Sequence, residues 1–146
     1  MAARVCTICG FHYASPEDSA EHLALHKRFL RATRALGYVP QDGPAQEAAK
    51  QAAWPVVRDA ARPLEERVAA AEAILRAQFD RSLRNTIFNG GPRDWQRHPS
   101  FEGYVAQALW RGTSFPPEVE EILLEKYGTA PSALRGTYWT PARHVA

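Results

Sequence analysis

The chain has 146 residues, 45% of them hydrophobic and 23% charged, with a formal net charge of +2 at pH 7. That length allows one modest domain, or a mini-domain joined to a small helical one, and the composition excludes a chain that stays disordered throughout. No apolar run approaches the roughly 20 residues of a membrane span, the N-terminus lacks the apolar stretch of a signal peptide, and the small net charge argues against wholesale coating of nucleic acid; a cytoplasmic protein is expected.

Ala and Arg are abundant while Val and Ile are scarce, which favours helix over sheet. Residues 1–36 form the first predicted unit: two short extended pieces around Cys6 and Cys9, then a helix from about Pro16. Ser15 is placed to cap that helix, Pro16 suits its first position, and Asp18 lies three residues beyond Ser15 beside Glu17, as in a capping box. Gly37 is the natural stop, and residues 37–44 (GYVPQDGP) read as a linker or chain reversal. An Ala-rich helix is expected over 45–61, with Pro55 kinking or splitting it.

Leu64, Val68, Ala71, Leu75, Phe79 and Ser82 or Leu83 then recur at helical spacing, predicting an amphipathic helix of about five or six turns. Gly and Pro between residues 89 and 99 break the pattern, and Phe101, Tyr104, Val105, Ala108 and Leu109 resume it. After Pro116 and Pro117, a last helix carries Val119, Ile122, Leu123 and Lys126 or Tyr127, and stops at Gly128. The remaining tail looks irregular, and Tyr138 and Trp139 are expected to dock back on the helices. The fold class is therefore mainly α: a small ββα finger over 1–36, a linker over 37–44, and a helical bundle over 45–146 with an irregular C-terminal tail.

The finger reading rests on Cys6-x2-Cys9-x12-His22-x3-His26. Two cysteines on a tight turn can present both sulfurs to one ion, and two histidines four apart on a helix share a face. This spacing favours one bound Zn2+ over a disulfide. With all four ligands supplied by protein, no coordination position stays open, so the ion is expected to be structural and not hydrolytic. Tyr13 falls where such a finger needs an aromatic core residue.

Residues 6–30 resemble the N-terminal zinc finger of the cohesin acetyltransferases. The likeness is carried by Cys6, Cys9, Gly10, Tyr13, Pro16, Glu17, Asp18, His22, His26, Arg28, Phe29 and Leu30. Nothing downstream is similar to an acetyl-CoA-binding loop, since Gly90 and Gly91 are followed by Pro92. The resemblance implies the fold of the finger and its metal ligands, and does not imply acetyl transfer.

Sequence-specific reading of a DNA major groove is not expected. With His22 as the seventh helical residue, the base-contacting positions are Ser15, Asp18 and Glu21, and two of the three are acidic. Beyond the ligands, Lys27, Arg28, Arg31 and Arg34 place four positive charges within about two turns. This stripe is either a solvated face or a holder of DNA or RNA phosphates without sequence preference. Trp95, in the loop with Arg93, Asp94 and Arg97, and Trp139 in the tail are candidates for contacting a protein partner or a second copy, with core packing as the alternative.

His98 and His144 stand apart from any cysteine or paired carboxylate, and Glu118, Glu120, Glu121 and Glu125 sit near a helix start, where negative charge is favourable. No nucleophile elbow, phosphate loop or metallohydrolase motif appears, so a non-enzyme is expected. Two functions remain open: a nucleic-acid-associated accessory factor that holds phosphate backbone, and a protein-interaction adaptor in which the finger is purely structural.

Overall fold

The computed structural model describes residues 4–14, 16–91 and 93–129. The proposed cap at Ser15 and the docking of Tyr138 and Trp139 lie outside the described residues, as does His144. In chain order the elements are strands β1 (Arg4–Val5) and β2 (His12–Tyr13) and helices α1 (Pro16–Leu36), α2 (Gly43–Arg58) and α3 (Leu64–Asn89). A single 3-10 turn over Asp94–Arg97 follows, then helices α4 (Phe101–Arg111) and α5 (Pro117–Tyr127). The two strands pair antiparallel, Arg4 opposite Tyr13 and Val5 opposite His12. The mainly α class and the small N-terminal ββα unit are both present.

The helix ends follow local chemistry. At the end of α1, Gly37 takes φ 81°, a left-handed conformation that glycine adopts without a Cβ penalty, and its N–H donates to Thr33 O at 2.9 Å. α2 begins two residues earlier than the expected Ala45, because the Asp42 carboxylate accepts from Ala45 N at 2.9 Å and Pro44 fits a first turn. α2 also runs through Pro55 as one helix and is not split there. Pro55 and Gln51, whose carbonyl loses its donor, both lie on the exposed side, one turn before the helix ends. The end comes at Arg58 and not Ala61, since Asp59 accepts from Ala61 N at 3.0 Å in a tight turn.

α3 has 26 residues, about seven turns, and is longer than the sequence pattern implied. Its apolar side serves two cores. The N-terminal half buries Val68, Ala71, Ile74 and Leu75 against Ala53 and Val57 of α2, Val105 and Leu109 of α4, and Val119 and Leu123 of α5. The C-terminal half buries Phe79, Leu83 and Ile87 against Phe29, Ala32 and Leu36 of α1, with Cys9 and Trp95. The finger helix is thus packed on the bundle through α3.

Buried polar groups tie the elements together. Arg67, 5% exposed, donates through Nε to Val57 O at 3.0 Å and through Nη2 to Glu118 at 2.8 Å, closing the end of α2 and joining α5. Asp80, 2% exposed, accepts from the Tyr38 hydroxyl at 3.1 Å and from Gln41 N at 3.0 Å, pinning the 37–42 connection to α3. Burial pushes the Asp80 carboxyl above the usual carboxylate range. His98 is buried between Phe79 and Tyr104. Its Nδ1 lies 2.9 Å from Pro99 O, which can only accept, so Nδ1 carries the proton and Nε2 accepts the Ser82 hydroxyl at 2.8 Å.

Two predictions follow from this packing. Leu83→Ala empties a fully buried position shared by α1 and α3 and is expected to cost about 2–5 kcal/mol in chemical denaturation. Burial lowers the His98 pKa, so the folded protein keeps the imidazole neutral while the unfolded chain takes up a proton near pH 6.5. Stability is therefore lost as pH falls below about 6.5. His98→Gln is expected to flatten that part of the pH–stability curve relative to the parent, measured by denaturation at pH 7 and pH 5.

Candidate metal centre and basic helix face

The hairpin places Cys6 and Cys9 on a knuckle closed by two backbone bonds, Gly10 N to Cys6 O at 2.8 Å and Cys6 N to Phe11 O at 3.0 Å. Gly10 has φ 79°, a conformation that favours glycine, and a Cβ there would meet Arg84 Nη2 at 3.1 Å, so the guanidinium would have to give by a few tenths of an ångström. His22 and His26 project from the first half of α1 onto the same spot. The four ligand atoms of Cys6, Cys9, His22 and His26 all lie within 4.8 Å of one another. Cys6 Sγ and His26 Nδ1 are 3.5 Å apart.

Two further observations fit a cation at the centre of this group. His22 Nε2 is buried without any hydrogen-bond partner, which is costly unless the nitrogen serves as a ligand. The backbone N–H of Cys9 points at the Cys6 sulfur and holds its thiol down at about 6, favouring the thiolate that binds metal. The Cys9 thiol is pushed up by burial. Phe11 and Tyr13 both stack on the His22 ring, with centroids 5.6 and 4.7 Å away. Tyr13 is half-buried in this position, as its place in the sequence implied.

The finger is joined to the bundle by two arginines. Arg84 of α3 donates through Nη2 to Cys9 O at 2.8 Å and through Nη1 to Pro40 O at 3.1 Å, while its guanidinium lies over the Phe29 ring at 4.8 Å. Arg28 of α1 donates to Gly90 O at 2.9 Å and Ile87 O at 3.4 Å, supplying donors to the last carbonyls of α3, which has no basic residue in its own last turn. Sequence reasoning did not single out Arg84. The signal available was the need of a buried knuckle carbonyl for a donor, and no spacing rule names the donor.

The four residues of the basic stripe divide. Arg28 faces α3 and is half-buried. Lys27, Arg31 and Arg34 are exposed along one side of α1, and no carboxylate among the described residues pairs with them. Leu23 and Leu30 are exposed on the same helix, at 57% and 38%. Trp95 is 5% exposed and packed in the core shared by α1 and α3, the packing position considered for it. Trp139 lies outside the described residues.

Comparison with protein-family models, with curated proteins and with solved structures found no match for this chain. No helix among the described residues is long and apolar enough to cross a membrane.

Gly10→Ala is expected to destabilise the finger by about 1–3 kcal/mol, because it strains a left-handed residue and crowds Arg84. The readout is a weaker metal affinity measured by competition with a chelator.

Proposed function

We propose that this protein is a non-enzymatic, zinc-stabilised scaffold that holds nucleic-acid phosphates, without reading sequence, through the exposed side of α1. Two thiolates and two imidazoles around one point favour Zn2+ over harder cations, and a four-protein-ligand shell is a structural one. The ion's part is to rigidify the hairpin against the first half of α1, a unit too small to bury an adequate core alone. The likeness of residues 6–30 to the cohesin acetyltransferase finger supports that role for the finger and nothing more.

The observation that carries the reading is the separation of cations on α1. Arg28 is used internally, while Lys27, Arg31 and Arg34, spaced i, i+4, i+7, are left on one face without a carboxylate partner among the described residues. Such a row spans about 10 Å and can meet successive phosphates. Three contacts imply a slope of log affinity against log salt of about −3 on duplex DNA. A protein-interaction adaptor is the second reading, favoured by the exposed Leu23 and Leu30 among these cations.

The metal is checked by elemental analysis and by Co2+ substitution. One equivalent with the absorption of a tetrahedral thiolate site is expected, and is lost in Cys9→Ser. Fluorescence anisotropy of the zinc-loaded protein on mixed-sequence duplex checks the face. The double reversal Arg31→Glu with Arg34→Glu is expected to abolish binding while zinc content and helicity stay unchanged. Binding that survives the reversal would discard the phosphate role of α1. Loss of a protein contact in Leu23→Ser with Leu30→Ser would then favour the adaptor.

A further inference from the structure

Away from α1, the helices α2, α3 and α4 enclose an open groove of about 820 Å3, within the ~300–1,000 Å3 range of small-molecule sites. One wall is the first turns of α2, which run beside the end of α3, and Tyr104 of α4 borders the other side. Its charge is one-sided. Lys50, Arg81 and Arg84 line it, and no carboxylate does; the other polar side chains of the lining are amides, the Ser82 hydroxyl and the Tyr104 phenol.

The three cations differ in freedom. Arg84 is committed to Cys9 O and Pro40 O and lends its charge without moving. Lys50 meets only the exposed Glu47, at 3.5 Å on its own helix, a pairing worth little in water. Arg81 is exposed and has no ion pair among the described residues. Asp80 and Asp42 are the acids whose fields reach Arg84, and both are already occupied, Asp80 by Tyr38 and Gln41 and Asp42 by the start of α2.

Two aromatic rings, Phe88 and Tyr104, complete the lining. Both are half-buried and held by neighbours: Phe88 stacks on Phe29 with centroids 5.3 Å apart, and Tyr104 packs edge-on against Phe79 at 5.6 Å. Ser82 donates its proton to His98, so its oxygen presents lone pairs and can accept a hydrogen bond from a ligand. Cations for a phosphate, fixed rings for a planar base and neutral hydrogen-bonding groups between them are the components of a nucleotide site.

We propose that this groove binds one nucleotide unit, its phosphate held by Arg81 and Lys50 and its base against Tyr104 or Phe88, supplied by a single-stranded nucleic acid or by a free nucleotide. The site deepens the polyanion reading and rests on it only in sharing phosphate chemistry, because its residues belong to other helices than the α1 face.

The test uses the zinc-loaded full-length chain and three probes in fluorescence anisotropy: a labelled thymidylate oligomer of about 12 nucleotides, the corresponding duplex, and a fluorescent ATP analogue. Arg81→Glu, at an exposed position, and Lys50→Glu, at a half-buried one, are each expected to weaken oligomer binding on the order of tenfold, and Asn85→Trp to block it by filling the groove. Circular dichroism verifies that these variants fold. Displacement of the oligomer by excess ATP assigns the groove to the strand's nucleotide units, and ATP binding without oligomer binding assigns it to a free nucleotide. Neither probe binding, or binding indifferent to all three groove variants, overturns the proposal. If reversal at Arg31 and Arg34 abolishes duplex binding while the groove variants change nothing, the α1 reading stands and the groove falls. If the groove variants abolish oligomer binding while those reversals do not affect the duplex, the groove stands and the α1 reading falls.

Discussion

The structure depends on α3 burying both of its halves against different partners. Val68 to Leu75 complete the core of the bundle, and Phe79 to Ile87 complete the core beneath the finger helix. One continuous helix cannot shift in register for one core without disturbing the other, so finger and bundle are mechanically coupled. This is why the small hairpin unit is held against the bundle. The finger helix itself runs for 21 residues, well beyond the two histidines, and its second half is held by apolar burial.

Arginines provide the second level of organisation. Arg28, Arg67 and Arg84 each direct guanidinium donors at backbone carbonyls of a neighbouring segment: the end of α3, the end of α2 and the cysteine knuckle. A buried carbonyl left unpaired would cost about 1–3 kcal/mol, so these cations are committed to structure. Other cations remain on the surface. Lys27, Arg31 and Arg34 on α1 and Arg81 on α3 are among those that face solvent without a carboxylate partner among the described residues. The division matters for function, because a phosphate can only be held by a charge that the fold has not already used.

The cluster of Cys6, Cys9, His22 and His26 shows how local and distant constraints combine. The hairpin and the turn at Gly10 aim the two sulfurs, and the helical spacing of His22 and His26 aims the two rings. Phe11 and Tyr13 then stack on the His22 ring, and Arg84 fixes the knuckle to α3. Ligand identity is thus a short-range property, and ligand rigidity comes from a helix more than 70 residues away in the chain.

Periodicity, residue spacing and left-handed caps are encoded within a few residues, so the helices, the grouping of Cys6, Cys9, His22 and His26, and the glycine stops at Gly37 and Gly128 are legible in the sequence by itself. It left the ends of α2 open by two or three residues, because Asp42 and Asp59 act as caps only when their carboxylates turn toward the backbone. Only the tertiary structure decided that α3 serves two cores, that Trp95 lies inside, and that Arg28 points inward while Lys27 beside it points out. It alone brought Lys50, Arg81 and Tyr104 to one groove. The physical reason is that the partner of a long side chain is chosen by which elements pack together, and that choice depends on contacts far apart in the chain.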